Sequence, residues 1–185
     1  MRVLAISGSL RRDSINSALL RAAARLAPAN VEVRVFRTIG ELPLFNPDLE
    51  AQMPPQVCAL HAEVAACDAL LVASPEYAHG VTGTIKNALD WLVSFEPFIH
   101  KPVAVLNASP RAHHADEALR ETLRTMSAVI VEEASTSIAL LGAHLTEDGM
   151  VEHPKISRAI RNSLLALHRA AGLRRSEQGP SFPLR

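Results

Sequence analysis

The chain has 185 residues, of which 48% are apolar, and a chain of this size buries about 70% of its unfolded surface around one core. We therefore expect one domain, and the high apolar fraction excludes intrinsic disorder. The 19 Lys and Arg residues balance the 19 Asp and Glu residues, which excludes non-specific electrostatic binding to nucleic acid or to a membrane surface.

Short aliphatic or β-branched segments alternate along the chain with longer segments whose apolar residues recur every three or four positions. The first pattern predicts strands and the second predicts helices. The five predicted strands are Val3–Ser7, Val31–Phe36, Ala69–Ser74, Val103–Asn107 and Ala128–Glu132. The helical stripes lie at residues 15–26, 57–64, 85–92, 115–126 and 156–167.

This order of elements predicts the fold class. Five strands that are each followed by a helix cannot be joined by tight hairpins, so we expect a doubly wound α/β fold, with a parallel sheet and helices on both faces. The domain should span residues 1–172, with a C-terminal tail at residues 173–185. Ligands of such sheets bind beyond the carboxyl ends of the strands, which places the site at residues 8–14, 75–82 and 108–114.

The loop after the first strand carries groups that bind phosphate. Ser9 and Ser14 supply hydroxyl groups, and Asn16 supplies an amide, where a helix begins. Arg11 and Arg12 add guanidinium groups. A helix N-terminus stabilises an anion through unpaired N–H groups and its positive dipole end. Because the glycine fingerprints of dinucleotide-binding and P-loop proteins are absent, a ligand that ends in a monophosphate is favoured; the alternative is a simple helix cap with solvated arginines.

The loop after the third strand is suited to a planar ligand. Pro75 stiffens its beginning, while Gly80 and Gly83 let the backbone pass close to a ligand or a neighbouring segment. A loop of this kind can present backbone N–H groups to the carbonyl oxygens and ring nitrogens of a heterocycle.

Together the two loops resemble the NADPH-dependent FMN reductase family of flavodoxin-like proteins. The family segment G-S-L-R-x-x-S-x-N matches residues 8–16 (GSLRRDSIN), and the segment P-E-Y-N…G…K-N-A-x-D-W matches residues 75–91 (PEYAHGVTGTIKNALDW). Residues 43–46 (PLFN) are also similar to a segment of many members. The resemblance covers about the first 110 residues by motif, and it implies a five-stranded flavodoxin-like sheet of order 2-1-3-4-5.

The resemblance implies FMN as the bound cofactor and NADPH or NADH as the co-substrate. The residues that it places around FMN are Ser9, Arg11, Ser14, Ile15, Asn16, Pro75, Glu76, Tyr77, Ala78, His79, Gly80 and Ser109. In this assignment the phosphate is held by Ser9, Arg11, Ser14 and Asn16, and the isoalloxazine ring is lined by Pro75, Glu76, Tyr77 and Gly80. Ser109 contacts the ribityl chain or the ring. Four residues of the second motif are interpreted as helix packing and subunit contacts: Lys86, Asn87, Asp90 and Trp91.

Two places depart from the family pattern. Ala78 stands where members commonly have Asn, which removes a side-chain contact to the flavin or to a neighbouring turn. The loop at residues 108–114 lacks the glycine-rich stretch often found there. We expect the side chains of this loop to occupy more space beside the ring and so to alter the access of nicotinamide and acceptor.

The resemblance implies an NAD(P)H-dependent oxidoreductase in which hydride passes to bound FMN and on to an acceptor. Candidate acceptors are quinones, free flavin, azo compounds and metal oxyanions. The alternatives are a flavodoxin-type electron carrier without its own NAD(P)H turnover and a non-catalytic flavin-binding module. Family members are usually homodimers with the flavin near the interface, so a homodimer is expected, with a tetramer as the alternative.

The remaining features exclude other classes of site and partner. No apolar run approaches the roughly 18 residues of a membrane span, and the start of the chain lacks a signal-peptide core. Cys58 and Cys67 are too few for a disulfide scaffold, so we expect a cytoplasmic protein. His113, His114 and Asp116 do not converge on one helix face, which disfavours a metal site. We expect no nucleic-acid or membrane partner, and no side chain acting as catalytic acid or base.

Overall fold

A parallel sheet forms the centre of the protein. In the computed structural model, which describes residues 1–140, 142 and 145–177, the strands are β1 (Arg2–Ser7), β2 (Glu32–Val35), β3 (Ala69–Ala73), β4 (Pro102–Asn107), β5 (Val129–Ile130) and β6 (Thr136–Ser137). The order β2-β1-β3-β4-β5 confirms the predicted order, and β6 pairs with β4. All of these pairings are parallel.

Helices cover both faces of this sheet. They are α1 (Ile15–Leu26), α2 (Pro55–Ala66), α3 (Gly83–Asp90), α4 (His113–Thr125), α5 (Glu147–Glu152) and α6 (Pro154–Glu177). Successive side chains of a strand point to opposite faces. Val3 and Ala5 therefore pack in the core that contains α1, α5 and α6, whereas Leu4 and Ile6 pack in the core that contains α2, α3 and α4. Shorter 3₁₀ turns lie at Ile39–Glu41, Pro47–Gln52 and Glu96–Phe98.

The far edge of the sheet differs from the prediction. One strand was expected over Ala128–Glu132, but the chain leaves the sheet after β5 and re-enters it as the unpredicted β6. Ser135 in the intervening turn explains the break, because its Oγ accepts a hydrogen bond from Val105 N at 3.0 Å and donates one to Val131 O at 3.0 Å. The Ser135 side chain thus provides the acceptor for Val105 N of β4 that the backbone of a continuous edge strand would have provided.

The C-terminal part of the described chain is helical. Helix α6 continues through Glu177 and so crosses the predicted domain boundary at residue 172, while residues 178–185 of the predicted tail lie outside the described residues. The domain limits therefore remain a prediction. Within the described ranges, no helix combines the length and apolar character that crossing a bilayer requires.

The two cysteines differ in burial, and this predicts different reactivity. Cys58 is exposed, whereas Cys67 is buried. Burial raises the pKa of the Cys67 thiol, which keeps the thiol protonated near neutral pH, and the thiolate is the reactive form. We expect Ellman's reagent to label one thiol per folded chain and both thiols after unfolding. The Cys58→Ala protein should lose the fast reaction, and rapid labelling of that variant would contradict the assignment.

Candidate functional site

Three loops meet at the carboxyl edge of the sheet and enclose a cavity of about 300 Å³. They are loop one (residues 8–14) after β1, loop three (residues 74–82) after β3 and loop four (residues 108–112) after β4. The cavity lies where the strand order reverses, beside β1 and β3. Its lining residues are Ser9, Arg11, Ser14, Ile15, Asn16, Ser74, Pro75, Glu76, Tyr77, Asn107, Ala108, Ser109, Arg111 and Ala112.

Most of the residues predicted for the site line this one cavity, from Ser9 in loop one to Ser109 in loop four. The exceptions are Ala78, His79 and Gly80, which do not line it. Ala108, Arg111 and Ala112 also line the cavity; they lie in the predicted site segment 108–114 but were not among the residues predicted around FMN. Ser74 and Asn107 line it as well and were missed, and their position as the last residues of predicted strands was the only signal that could have indicated them.

Loop one ends in the cap of helix α1. Ser14 Oγ accepts a hydrogen bond from Ser17 N at 3.3 Å, and Ser9 Oγ accepts one from Arg11 N at 3.4 Å. Each hydroxyl therefore keeps its own proton free to donate. Asn16 is buried, and its Oδ1 has no hydrogen-bond partner among the described residues.

A threonine ties loop one to loop three. Thr82 Oγ1 donates to Gly8 O at 2.7 Å and also accepts from Ile85 N at 3.2 Å, where it caps helix α3. Gly8 N donates to Ala73 O at 2.8 Å. Both backbone groups of Gly8 are thus held, and loop one has a fixed position relative to β3.

The tip of loop three is a tight turn. Tyr77 N donates to Gly80 O at 3.2 Å, and Gly80 N donates to Tyr77 O at 3.0 Å. The two central residues are left-handed, with φ of +49° at Ala78 and +58° at His79. This conformation favours Asn and Gly and costs other residues about 1–3 kcal/mol each. The departure at Ala78 therefore affects the local turn.

Loop four is built around Asn107. The Asn107 side chain accepts from Ser109 N at 2.9 Å and donates to Ala112 O at 3.2 Å, and Ser109 Oγ accepts from Arg111 N at 3.3 Å. These bonds fold the loop so that Arg111 lines the cavity. Neither Arg11 nor Arg111 forms an ion pair with any residue that the structure describes, while the carboxylate of Glu76 is hydrogen-bonded to Ala115 N. Two guanidinium groups thus outnumber the one carboxylate in the cavity lining, and this net positive charge suits an anionic ligand.

The second sequence motif holds a neighbouring segment in place. Asn87 Nδ2 and Trp91 Nε1 donate to Pro43 O at 3.0 and 2.8 Å, and Phe45 N donates to Asn87 Oδ1 at 2.8 Å. The rings of Phe45 and Trp91 meet edge to face at 5.0 Å. Asn87 and Trp91, the residue that follows α3, thus pack this end of the helix against residues 43–45, as predicted for them. Lys86 and Asp90, which were given the same role, pair with each other at the surface.

Histidines gather beside the cavity without forming a metal site. The rings of His79 and His114 stack at a centroid distance of 4.5 Å, and those of His114 and His113 lie 4.0 Å apart. Across the described residues, no three side chains of the metal-binding types converge on one point.

A flavodoxin-like sheet with a cationic cavity at the N-terminus of its first helix defines a mononucleotide-binding α/β protein. The sequence matches the model of the NADPH-dependent FMN reductase family over residues 1–140. The chain belongs to this family, which confirms the resemblance seen in the two motifs. Membership also confirms the predicted reaction class, NAD(P)H-dependent oxidoreduction with FMN.

Individual relatives agree with this family. An NAD(P)H-dependent FMN reductase from Pseudomonas aeruginosa is 35% identical over 173 residues, which cover 90% of this chain and 93% of that protein. A quinone reductase from Pseudomonas putida is 38% identical over 130 residues, covering 65% of this chain and 68% of that protein. The solved structure of the flavoenzyme NAD(P)H:(acceptor) oxidoreductase FerB from Paracoccus denitrificans has 30% identity and a TM-score of 0.82, and the match covers 93% and 97% of the two chains.

Proposed function

We propose that the cavity binds FMN with its phosphate at the N-terminus of α1, and that the chain uses it to pass electrons from NAD(P)H to a small-molecule acceptor. Asn16 provides the main support. It lines the cavity with a buried side chain, and its Oδ1 lacks a hydrogen-bond partner among the described residues. A buried polar group without a partner costs about 1–3 kcal/mol. A half-turn about χ2 puts the Nδ2 donor where Oδ1 lies, so a ligand that accepts hydrogen bonds, as a phosphate does, accounts for this side chain.

The donors of loop one fit a terminal phosphate. The Ser9 and Ser14 hydroxyls each have a proton to donate, and the Arg11 guanidinium offers a planar fork that matches two phosphate oxygens. The two ends of the Asn16 carboxamide exchange by a half-turn about χ2, so this side chain can also turn its amide donor toward the ligand.

The other end of the cavity fits the ribityl chain and ring. Ser74, Asn107 and Ser109 supply polar groups at its base, while Pro75 and Tyr77 supply flat apolar surface. Tyr77 is 54% exposed, so the ring end is open to solvent on that side. An open ring end leaves room for a nicotinamide and, after its departure, for an acceptor.

Bound FMN supplies the hydride and electron chemistry, and the chain supplies binding and orientation. Loop one would hold the phosphate, loop three would support the ring, and loop four would limit how substrates approach. No side chain is needed as acid or base for these tasks. The quinone reductases among the relatives support quinones as the acceptor class.

NAD(P)H oxidation by FMN-loaded protein tests the proposal. We expect oxidation of NADPH or NADH that requires both FMN and a quinone such as menadione. Protein that binds FMN but turns over neither nucleotide would support the electron-carrier alternative. Protein that takes up no added FMN would contradict the proposed function altogether.

We also propose a homodimer in the cytoplasm. Leu10, Leu44 and Val93 are 62%, 83% and 60% exposed, and contact with a second copy of the chain would remove apolar surface of this kind from water. Cys58 and Cys67 are both free thiols, as in proteins of a reducing compartment. Light scattering after size-exclusion chromatography distinguishes dimer, tetramer and monomer, and a monomeric wild type would contradict the assembly.

A further inference from the structure

Helix α4 begins without a cap from its own sequence. Its N-cap residue is Ala112, which has no side-chain acceptor, although the first N–H groups of a helix need partners. Glu76 of loop three supplies one, since its Oε2 accepts a hydrogen bond from Ala115 N at 2.9 Å. The carboxylate also lies at the positive end of the helix dipole, which favours its charge. Glu76 therefore caps α4 from a different loop.

A second contact joins the same two segments. The His79 ring stacks on the His114 ring in the first turn of α4, with 23° between the ring planes. His79 reaches this place from the left-handed turn of loop three. Strained turns of this kind persist where the surrounding contacts hold them, and the stack on His114 is such a contact. Loop three and the start of α4 are thus joined at two points.

Both joined segments form walls of the cavity. Loop three contributes Pro75 and Tyr77, and loop four, which leads directly into α4, contributes Ser109 and Arg111. The position of loop four relative to the cavity therefore depends on the contacts that loop three makes with α4.

We propose that Glu76 and His79 are positioning residues that hold loop four against the ring and ribityl end of FMN. This inference rests on the proposed binding of FMN in the cavity. It gives Glu76 a role through α4, in addition to its place in the cavity wall. It also explains how a loop without the family's glycines keeps a defined position, because its following helix is fastened to loop three.

Flavin titrations with Glu76→Ala and Glu76→Gln test the proposal. Riboflavin shares the ring and ribityl chain with FMN but lacks the phosphate. Glu76→Ala loses one hydrogen bond to a helix N-terminus, and this should weaken the binding of both FMN and riboflavin by about five- to tenfold. Gln keeps a carbonyl acceptor for Ala115 N but loses the charge at the positive end of the helix dipole. Glu76→Gln should therefore recover most of the affinity and bind both flavins within about threefold of wild type. Glu117→Ala, an exposed acid on the same helix, is the matched control and should bind as wild type does.

The visible circular dichroism of saturated protein separates positioning from general destabilisation. A purely structural role would lower the thermal midpoint and leave the spectrum of bound flavin unchanged. Positioning predicts an altered flavin spectrum in Glu76→Ala and a wild-type spectrum in Glu76→Gln. Unchanged affinity in Glu76→Ala, or a loss in Glu76→Gln as large as in Glu76→Ala, would overturn the proposal.

His79→Ala provides an independent variant because it leaves the Glu76 cap in place. This variant should weaken the binding of FMN and of riboflavin equally, by about two- to tenfold, which is the range expected for one ring–ring contact. If Glu76→Ala does not fold, the outcome with His79→Ala decides, and unchanged binding there would overturn the proposal. Wild-type protein that binds no flavin would instead refute the proposed function, and the positioning role with it.

Discussion

Replacing Arg11 with alanine should weaken FMN binding by about 1.5–3 kcal/mol, the range for hydrogen bonds to a charged group, and leave riboflavin binding almost unchanged. Arg11 lines the cavity beside the start of α1 and forms no ion pair with a described residue, so its charge is available to a ligand. Only FMN carries the phosphate that would meet this charge. Quenching of flavin fluorescence in parallel titrations measures both affinities.

Arg12→Ala is the matched control for this prediction. Arg12 is the next residue in loop one and is also exposed, but it does not line the cavity. Its loss should change FMN affinity by less than about 0.5 kcal/mol, as for a surface substitution away from the site. If Arg11→Ala lowers the affinities for FMN and for riboflavin equally, Arg11 supports the loop structurally and does not bind phosphate.

The sequence predicts the sheet well because its central strands have a strong local signal. Strands β3 and β4 are buried along their whole length, and such strands appear in sequence as short continuous apolar runs. The edge strand could not be predicted in the same way. Its interruption depends on Ser135 bonding to Val105, thirty residues away in sequence, and no local pattern reveals a contact of that kind.

The same distinction applies to the site. Loop one was predictable because a Ser cap and the start of a helix are local features. Arg111 lies in the predicted segment 108–114, but its role could not be predicted, because the side chain of Asn107 folds loop four and that fold brings Arg111 to the cavity. Ala78 and His79 were predicted around FMN, yet neither lines the cavity, and the paired bonds between Tyr77 and Gly80 enclose them in a left-handed turn. Backbone conformations that oppose residue preference cannot be deduced from the residues alone.

Gly8→Ala should be a severely damaging substitution at the site, because there is no space for a side chain at this position. A Cβ atom on Gly8 would overlap with Ser74 Oγ and would lie 2.6 Å from Ser74 Cβ. The backbone cannot move away easily, since Gly8 N donates to Ala73 O and Gly8 O accepts from Thr82. We expect the free energy of unfolding to fall by about 2–4 kcal/mol, as for overpacking combined with lost hydrogen bonds, and FMN binding to be lost with the displacement of loop one.

Two further variants test whether the contact with Ser74 is the cause. Gly83→Ala adds the same methyl group where no atom lies within 4 Å, so urea unfolding should show a change below about 1 kcal/mol. Ser74→Gly removes Oγ and Cβ of Ser74 and leaves Thr82 Oγ1 at 3.1 Å from the Cβ added at position 8. It loses only the long hydrogen bonds of 3.3 and 3.5 Å that the Ser74 hydroxyl makes. The double variant Gly8→Ala/Ser74→Gly should therefore recover most of the stability lost in Gly8→Ala, giving a coupling of about 1–3 kcal/mol. If the stability losses of Gly8→Ala and Ser74→Gly simply add in the double variant, Ser74 is not the residue that excludes a side chain at position 8.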